Sequence, residues 1–141
     1  MGGLGKDFTM NYKRQQGVVV SRIERIKREG SPAYVWNVPA TGAGLFSTIG
    51  IREQFPTSRK YEPLDSIEIV NNEATNNVQV NINGAAVTFL IPARTIRTIE
   101  RQPIWNLTIT NLGGLVTTLG NIICTMQRAP LTTDRLMRGD L

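Results

Sequence analysis

Residues 78–99, VQVNINGAAVTFLIPARTIRTI, restrict the fold more than any other stretch of this sequence. Val78, Val80 and Ile82 alternate with Gln79, Asn81 and Asn83, the two-residue period of a half-buried strand. Asn83-Gly84 follows, and this dipeptide tolerates the positive φ values that a two-residue hairpin turn demands. Val87, Phe89 and Ile91 then alternate on one face, Pro92 ends the ladder for want of an N–H, and Thr95 to Ile99 is again rich in β-favouring residues. These features predict strands over 78–82, 86–91 and 94–99. Asn83 and Gly84 are expected to form a structural turn rather than a ligand site, with Phe89 central in the packing.

The same texture extends on both sides. Ser66 to Val70 reads as a strand, residues 71–77 as a polar loop, and Ile104 to Thr110 as a strand whose alternation breaks at Trp105. Asn111-Leu112-Gly113-Gly114 turns the chain, and Leu115–Leu119 and Ile122–Gln127 complete the series around a Gly120-Asn121 break. Strands recurring about every ten residues with turn residues between them indicate a sandwich or small barrel, not βαβ units. The expected fold is all-β: a single β-sandwich or jelly-roll-like domain with an extended N-terminal arm. Four regions follow from the composition: a flexible arm over 1–17, a hairpin plus irregular interaction segment over 18–63, the β-sandwich body over 64–128, and a tail over 129–141.

The N-terminal regions are less regular. Three glycines in the first five positions loosen the arm, in which Phe8, Met10 and Tyr12 alternate. An arm of this kind is expected to be disordered in an isolated chain and ordered against a partner, with Phe8 and Tyr12 as anchors. Residues 18–29, VVVSRIERIKRE, admit two readings: a short helix opened by the Ser21/Glu24 capping box, or a strand from Gly17 to Lys27. Three successive valines and the aromatic-rich stretch Ala33 to Val38 favour the strand, turning at residues 29–32 into a hairpin. Residues 39–65 are punctuated by Pro and Gly, with Leu45–Ile49 as their one short strand. So long an irregular stretch suits a segment that covers a neighbouring subunit.

The chemistry is defined mainly by what is scarce. The chain has no histidine and one cysteine, Cys124, so a zinc site or a disulfide framework within one chain is ruled out, and Cys124 reads as a small buried hydrophobe. The four lysines all lie in the charged N-terminal half, and Glu68, Glu73 and Glu100 read as solvent-facing residues of the strand region. No phosphate-cradling glycine motif occurs. No enzyme activity, cofactor or metal is expected. No run approaches about 18 apolar residues, so no transmembrane segment is expected either.

Charge is concentrated at one end. Of 16 basic and 11 acidic residues, residues 1–65 hold ten and six. Lys13, Arg14, Arg22, Arg25, Lys27 and Arg28 face only Glu24 in their segment, a pattern that suits phosphate contacts, with Tyr34 and Trp36 as stacking platforms. On a hairpin the cluster would divide between two faces, and the same residues also suit a subunit-facing edge. The polar positions of the strand region are dominated instead by Asn and Thr, neutral groups that favour broad subunit contacts at low desolvation cost and would serve carbohydrate contact too.

The succession IEIVNN…VQVNINGAAVTFLIPARTIRTIE…WNLTITNLG, residues 67–113, resembles the small β-sandwich minor capsid, cement and spike-base proteins of bacterial and archaeal viruses. The resemblance covers about residues 64 to 113 and carries over no catalytic or ligand residue. It implies a structural role in a virion, with glycine-rich arms reaching to neighbouring subunits and copies of the chain or other capsid proteins as partners. Outside a virion, a cytoplasmic location is expected. Phe8, Tyr12, Tyr34, Trp36, Phe46 and Tyr61 are the candidate subunit contacts. The alternative is a nucleic-acid-binding β domain using residues 13–28, and a virion protein facing a packaged genome would combine the two through non-specific nucleic acid contact.

Overall fold

Eight strands are divided equally between two antiparallel sheets in a computed structural model that describes residues 29–130. They are β1 (Tyr34–Asn37), β2 (Phe46–Gly50), β3 (Leu64–Asn71), β4 (Val78–Ile82), β5 (Thr88–Ile91), β6 (Thr95–Ile104), β7 (Asn106–Asn111) and β8 (Ile122–Gln127). One sheet has the order β1-β8-β3-β6 and the other β2-β7-β4-β5. The pairs β1·β8, β3·β6, β2·β7 and β4·β5 are those of one long antiparallel ribbon folded back on itself. The β3·β8 and β4·β7 pairings then join its parts into two sheets. That is the jelly-roll arrangement, and the domain is an all-β sandwich.

The core follows from strand alternation. Ile67, Ile69, Cys124 and Met126 point inward from one sheet, and Val80 and Ile109 from the other; all are at most 1% exposed. Trp36 lies in the same inward row as Cys124 and Ile69. Burial pushes the Cys124 thiol up to about 12, consistent with a packing role.

The Asn83-Gly84 turn forms as the sequence indicates. Asn83 has φ 60° and Gly84 φ 65°, the left-handed pair that a tight turn requires, and the Ala85 N–H closes the turn on the Ile82 carbonyl at 3.2 Å; residues 85–87 then lead to β5, whose first pair is Thr88 with Asn81. Four other details differ. β5 begins at Thr88, leaving Val87 exposed. Phe89 is half-buried and not central: β5 is an edge strand, and the Phe89 ring lies under Arg97 of the other sheet's edge, 5.0 Å from the guanidinium carbon. The strand expected over 94–99 continues to Ile104, because a bulge at Arg101 (φ 59°) shifts the register opposite Leu64 and Ser66 and accommodates Pro103 near the strand end. Residues 115–119 form no strand; the amides of Leu115, Thr117 and Thr118 pair with side chains and a loop carbonyl.

The irregular stretch after residue 39 contains β2, a single helical turn α1 (Ile51–Gln54) and a 3-10 segment, Pro56–Tyr61. The return half of the expected N-terminal hairpin is present as β1, which pairs with β8. The arm, the strand-or-helix segment 18–28 and residues 131–141 of the tail lie outside the described residues. Phe8, Tyr12, Lys13, Arg14, Arg22, Arg25, Lys27 and Arg28 lie outside them too.

A Cβ at Gly84 would meet no atom within 4 Å, so substitution there tests backbone conformation alone. Gly84→Val is expected to lower the unfolding free energy by about 1–3 kcal/mol, since a β-branched residue resists positive φ. Chemical denaturation compared with Gly84→Asn, which tolerates that φ, isolates the effect.

Candidate interaction surfaces

Residues 31–129 present two surfaces of distinct chemistry. The first is the outward face of the β2-β7-β4-β5 sheet. Register aligns Phe46, Thr110, Gln79 and Leu90 in one outward row and Thr48, Thr108, Asn81 and Thr88 in the next. None of these eight carries a charge, although the whole chain has a formal charge of +5. Thr48 and Thr108 hydroxyls lie 2.9 Å apart across the β2·β7 pair, and the Asn81 amide donates to the Ala85 carbonyl. Phe46 is 66% exposed. The outward positions of the other sheet differ, carrying the carboxylates Glu68 and Glu100 beside Val35, Val70 and Ile96.

The second surface is the end of the sandwich where loops 38–45, 72–77, 92–94 and 112–121 emerge. Two asparagines at strand ends organise it. Asn71, last in β3, donates to the carbonyls of Asn76 and Ile91, both at 3.0 Å, and accepts the Glu73 N–H at 3.0 Å. Asn111, last in β7, donates to the carbonyls of Thr41 at 3.0 Å and Leu115 at 2.7 Å, and accepts the Gly113 N–H at 2.9 Å. Each is an Asx turn whose amide group also secures two further carbonyls. Both side chains are buried, so their own polar atoms depend on these bonds.

Glu73 is tied into the same loops. The sequence suggests a solvent-facing carboxylate, but Glu73 is 7% exposed. One oxygen accepts the Thr118 N–H at 2.8 Å and the other the Asn121 side-chain amide at 3.2 Å, so buried hydrogen bonds replace its hydration. Thr41 and Thr117 add a reciprocal clasp: the Thr41 N–H donates to the Thr117 hydroxyl at 2.8 Å, and the Thr117 N–H to the Thr41 carbonyl at 3.0 Å. On this frame stand the exposed side chains of Leu45, Leu112, Leu115, Val116 and Leu119.

At the opposite end, Asn83 does more than turn the chain. Its side-chain oxygen accepts the N–H groups of Trp105 at 2.6 Å and Asn106 at 3.0 Å, and its amide donates to the Pro103 carbonyl at 2.7 Å. It thereby holds the corner where the chain passes from β6 to β7, which explains the broken alternation at Trp105. Arg52 on α1 lies over the Trp105 ring at 5.6 Å and grips Glu62 through two hydrogen bonds of 2.8 and 2.7 Å. The hydrogen bonds from Arg52 hold the Glu62 carboxyl below the usual carboxylate range.

The other expected contact residues divide. Trp36 is 6% exposed and belongs to the core, so it is not presented as a stacking platform. Tyr34 is half-buried with its ring 5.3 Å from Phe55, and its hydroxyl accepts from Thr57 at 3.3 Å. Tyr61 packs half-buried against the core at the end of the 3-10 segment. Phe46 alone of the described candidates is openly presented. Sequence reasoning missed Asn71, Asn111 and Glu73 as organising residues; the available signal was an asparagine directly ending each of two strand patterns, with an N–H two residues on to accept.

Two outcomes are expected for the loop frame and one for the ion pair. Asn111→Ala should cost about 2–4 kcal/mol, because it removes three hydrogen bonds of a buried side chain, including those to the Leu115 carbonyl and the Gly113 N–H. Gly113→Ala should destabilise while Gly114→Ala should not: a Cβ at Gly113 would sit 2.8 Å from the Asn76 Cα and closer still to its side chain, whereas Gly114 faces open space. Thermal unfolding of all three variants checks both. Because Glu62 has a depressed pKa when folded, its contribution should be present above the unfolded carboxylate pKa and vanish as pH falls through the lower folded value. The stability difference between wild type and Glu62→Gln, small and salt-sensitive at neutral pH, should therefore close in the acid range.

Among the described residues, no group of three or more His, Cys, Asp or Glu residues is placed to hold a metal ion, and no helix is long and apolar enough to cross a membrane. Neither a protein-family model nor a curated protein sequence matches the chain.

Proposed function

We propose that this protein is a non-enzymatic structural component that joins subunits in a virion or a comparable large assembly. The observation that carries the reading is the uncharged outward face of the β2-β7-β4-β5 sheet on a chain whose formal charge is +5. Copies of a basic protein repel one another, and a face without charge is where they meet at least cost. Threonine and asparagine side chains are short and stiff, so ordering them at an interface forfeits little rotamer freedom. Phe46, exposed at one margin of the face, supplies an aromatic anchor of the kind that dominates interface energetics. The jelly roll is also an architecture used by capsid domains, although it serves lectins and cupins as well and does not by itself decide function.

Native mass measurement of the full chain tests the reading. Self-association is expected, and Thr108→Arg, which introduces a charge into the centre of the face, is expected to abolish it while the chain still folds, with at most a small drop in melting temperature from the lost Thr48 hydrogen bond. A wild-type chain that stays monomeric and is not taken up by a capsid shell overturns the proposal. Filter binding across a salt series addresses the nucleic-acid alternative: tight binding that weakens steeply with salt would assign the work to phosphate contacts.

A further inference from the structure

The loop end has a charge composition unlike the rest of the protein. Loops 38–45, 72–77, 92–94 and 112–121 contain only two ionisable side chains, Glu73 and Arg94. Glu73 is buried with both oxygens hydrogen-bonded, and Arg94 is exposed. Beside this single exposed cation stand Leu45, Leu112, Leu115, Val116 and Leu119, each about half to two-thirds exposed, with Phe46 at the start of β2.

The second peculiarity is that the loop backbone spends its polar groups internally. The N–H groups of Leu112, Gly113, Thr117 and Thr118 donate to the Asn77 carbonyl, the Asn111 side chain, the Thr41 carbonyl and the Glu73 carboxylate respectively. The Leu115 N–H points at the Asn76 side-chain oxygen at 3.4 Å, and the Leu115 carbonyl accepts from Asn111. Irregular backbone ordinarily cannot enter hydrocarbon because its unpaired N–H and C=O groups cost several kcal/mol each. Here that obstacle is reduced, because the N–H groups of Leu112, Gly113, Leu115, Thr117 and Thr118 are taken up by side chains and carbonyls of the same protein at the place where the aliphatic residues are presented.

We propose that this loop end is a lipid-bilayer contact, in which Leu115, Val116 and Leu119 enter the boundary between headgroups and acyl chains while Arg94 lies at the phosphate level. Charge decides between a bilayer and a second copy. A copy meeting this end with the same surface would bring a second Arg94 and no exposed carboxylate, whereas a phospholipid surface supplies the missing anions. The contact is shallow and interfacial, as suits side chains on loop tips. It uses the end of the sandwich and not the uncharged sheet face, so it stands or falls independently of the subunit-joining function.

The test uses the full chain with sonicated vesicles of phosphatidylcholine and of phosphatidylcholine containing phosphatidylserine. Wild type is expected to partition onto both, more strongly onto the second. Leu115→Asp with Val116→Asp should weaken partitioning by at least about tenfold, the loss of two buried aliphatic side chains. Val116→Trp keeps the tip apolar and places a reporter there. Its fluorescence should be quenched by brominated acyl chains, while the native Trp36 in the core and Trp105 at the opposite end of the sandwich should not respond. Absence of partitioning overturns the proposal, as does partitioning that the double variant leaves unchanged, which would place the binding elsewhere in the chain. Loss of self-association in the double variant without any vesicle binding also overturns it and assigns the tip to a second copy.

Discussion

The structure depends on the buried amides of Asn71 and Asn111. A jelly roll returns the chain repeatedly across the gap between two sheets, and every return leaves backbone N–H and C=O groups at a strand end without ladder partners. Each of these asparagines closes a turn through its oxygen and secures two carbonyls through its amide. Asn71 sits in one sheet and reaches the Ile91 carbonyl of the other, while Asn111 reaches the β1–β2 loop through Thr41. Replacing either by an apolar residue would preserve core volume and still leave several buried polar groups without partners, a heavier loss than a single surface hydrogen bond.

How much of this was legible in the sequence followed from the distance between partners. The β4–β5 hairpin was plain because its turn chemistry and both its strands lie within about fifteen residues and obey one period. The abundance of asparagine was visible, but its meaning was not. As a composition it suggested surfaces for subunits or sugars; in the fold, six of those asparagines (71, 76, 77, 81, 83 and 111) serve the protein's own backbone, at separations of up to 70 residues. The length of β6 was likewise hidden, because Pro103 and the left-handed Arg101 argue locally against a strand that register with β3 nevertheless sustains. Leu115–Leu119 misled for the opposite reason: its β-favouring residues imply burial, and the structure turns Leu115, Val116 and Leu119 outward.

The two presented surfaces differ in construction. The uncharged face of the β2-β7-β4-β5 sheet is regular, because it is made of strand residues at every second position. The aliphatic loop end is irregular in backbone yet fixed by side-chain bonds, so its leucines are held without a sheet beneath them. Both lack exposed carboxylates, for different reasons. On the face, charged residue types are absent at the outward positions; at the loop end, the one carboxylate is present but turned inward and bonded.

The ribbon topology also sets a sequence of events in the formation of the molecule. β4 and β5 meet across a short connection, their innermost pair being Asn81 and Thr88, but β1 pairs with β8, and Ser31 exchanges hydrogen bonds with Arg128 almost a hundred positions away. Contacts of such separation are entropically the most expensive to close and form late. β8 lies between β1 and β3, so until it arrives its sheet is two strands short of contiguity and the inward faces of Ile67 and Ile69 lack their neighbours Met126 and Cys124. During synthesis, completion of that sheet waits for β8, the last of the eight strands. A chain truncated before residue 122 would carry most of the apolar content of the body together with an open sheet, a combination prone to aggregate.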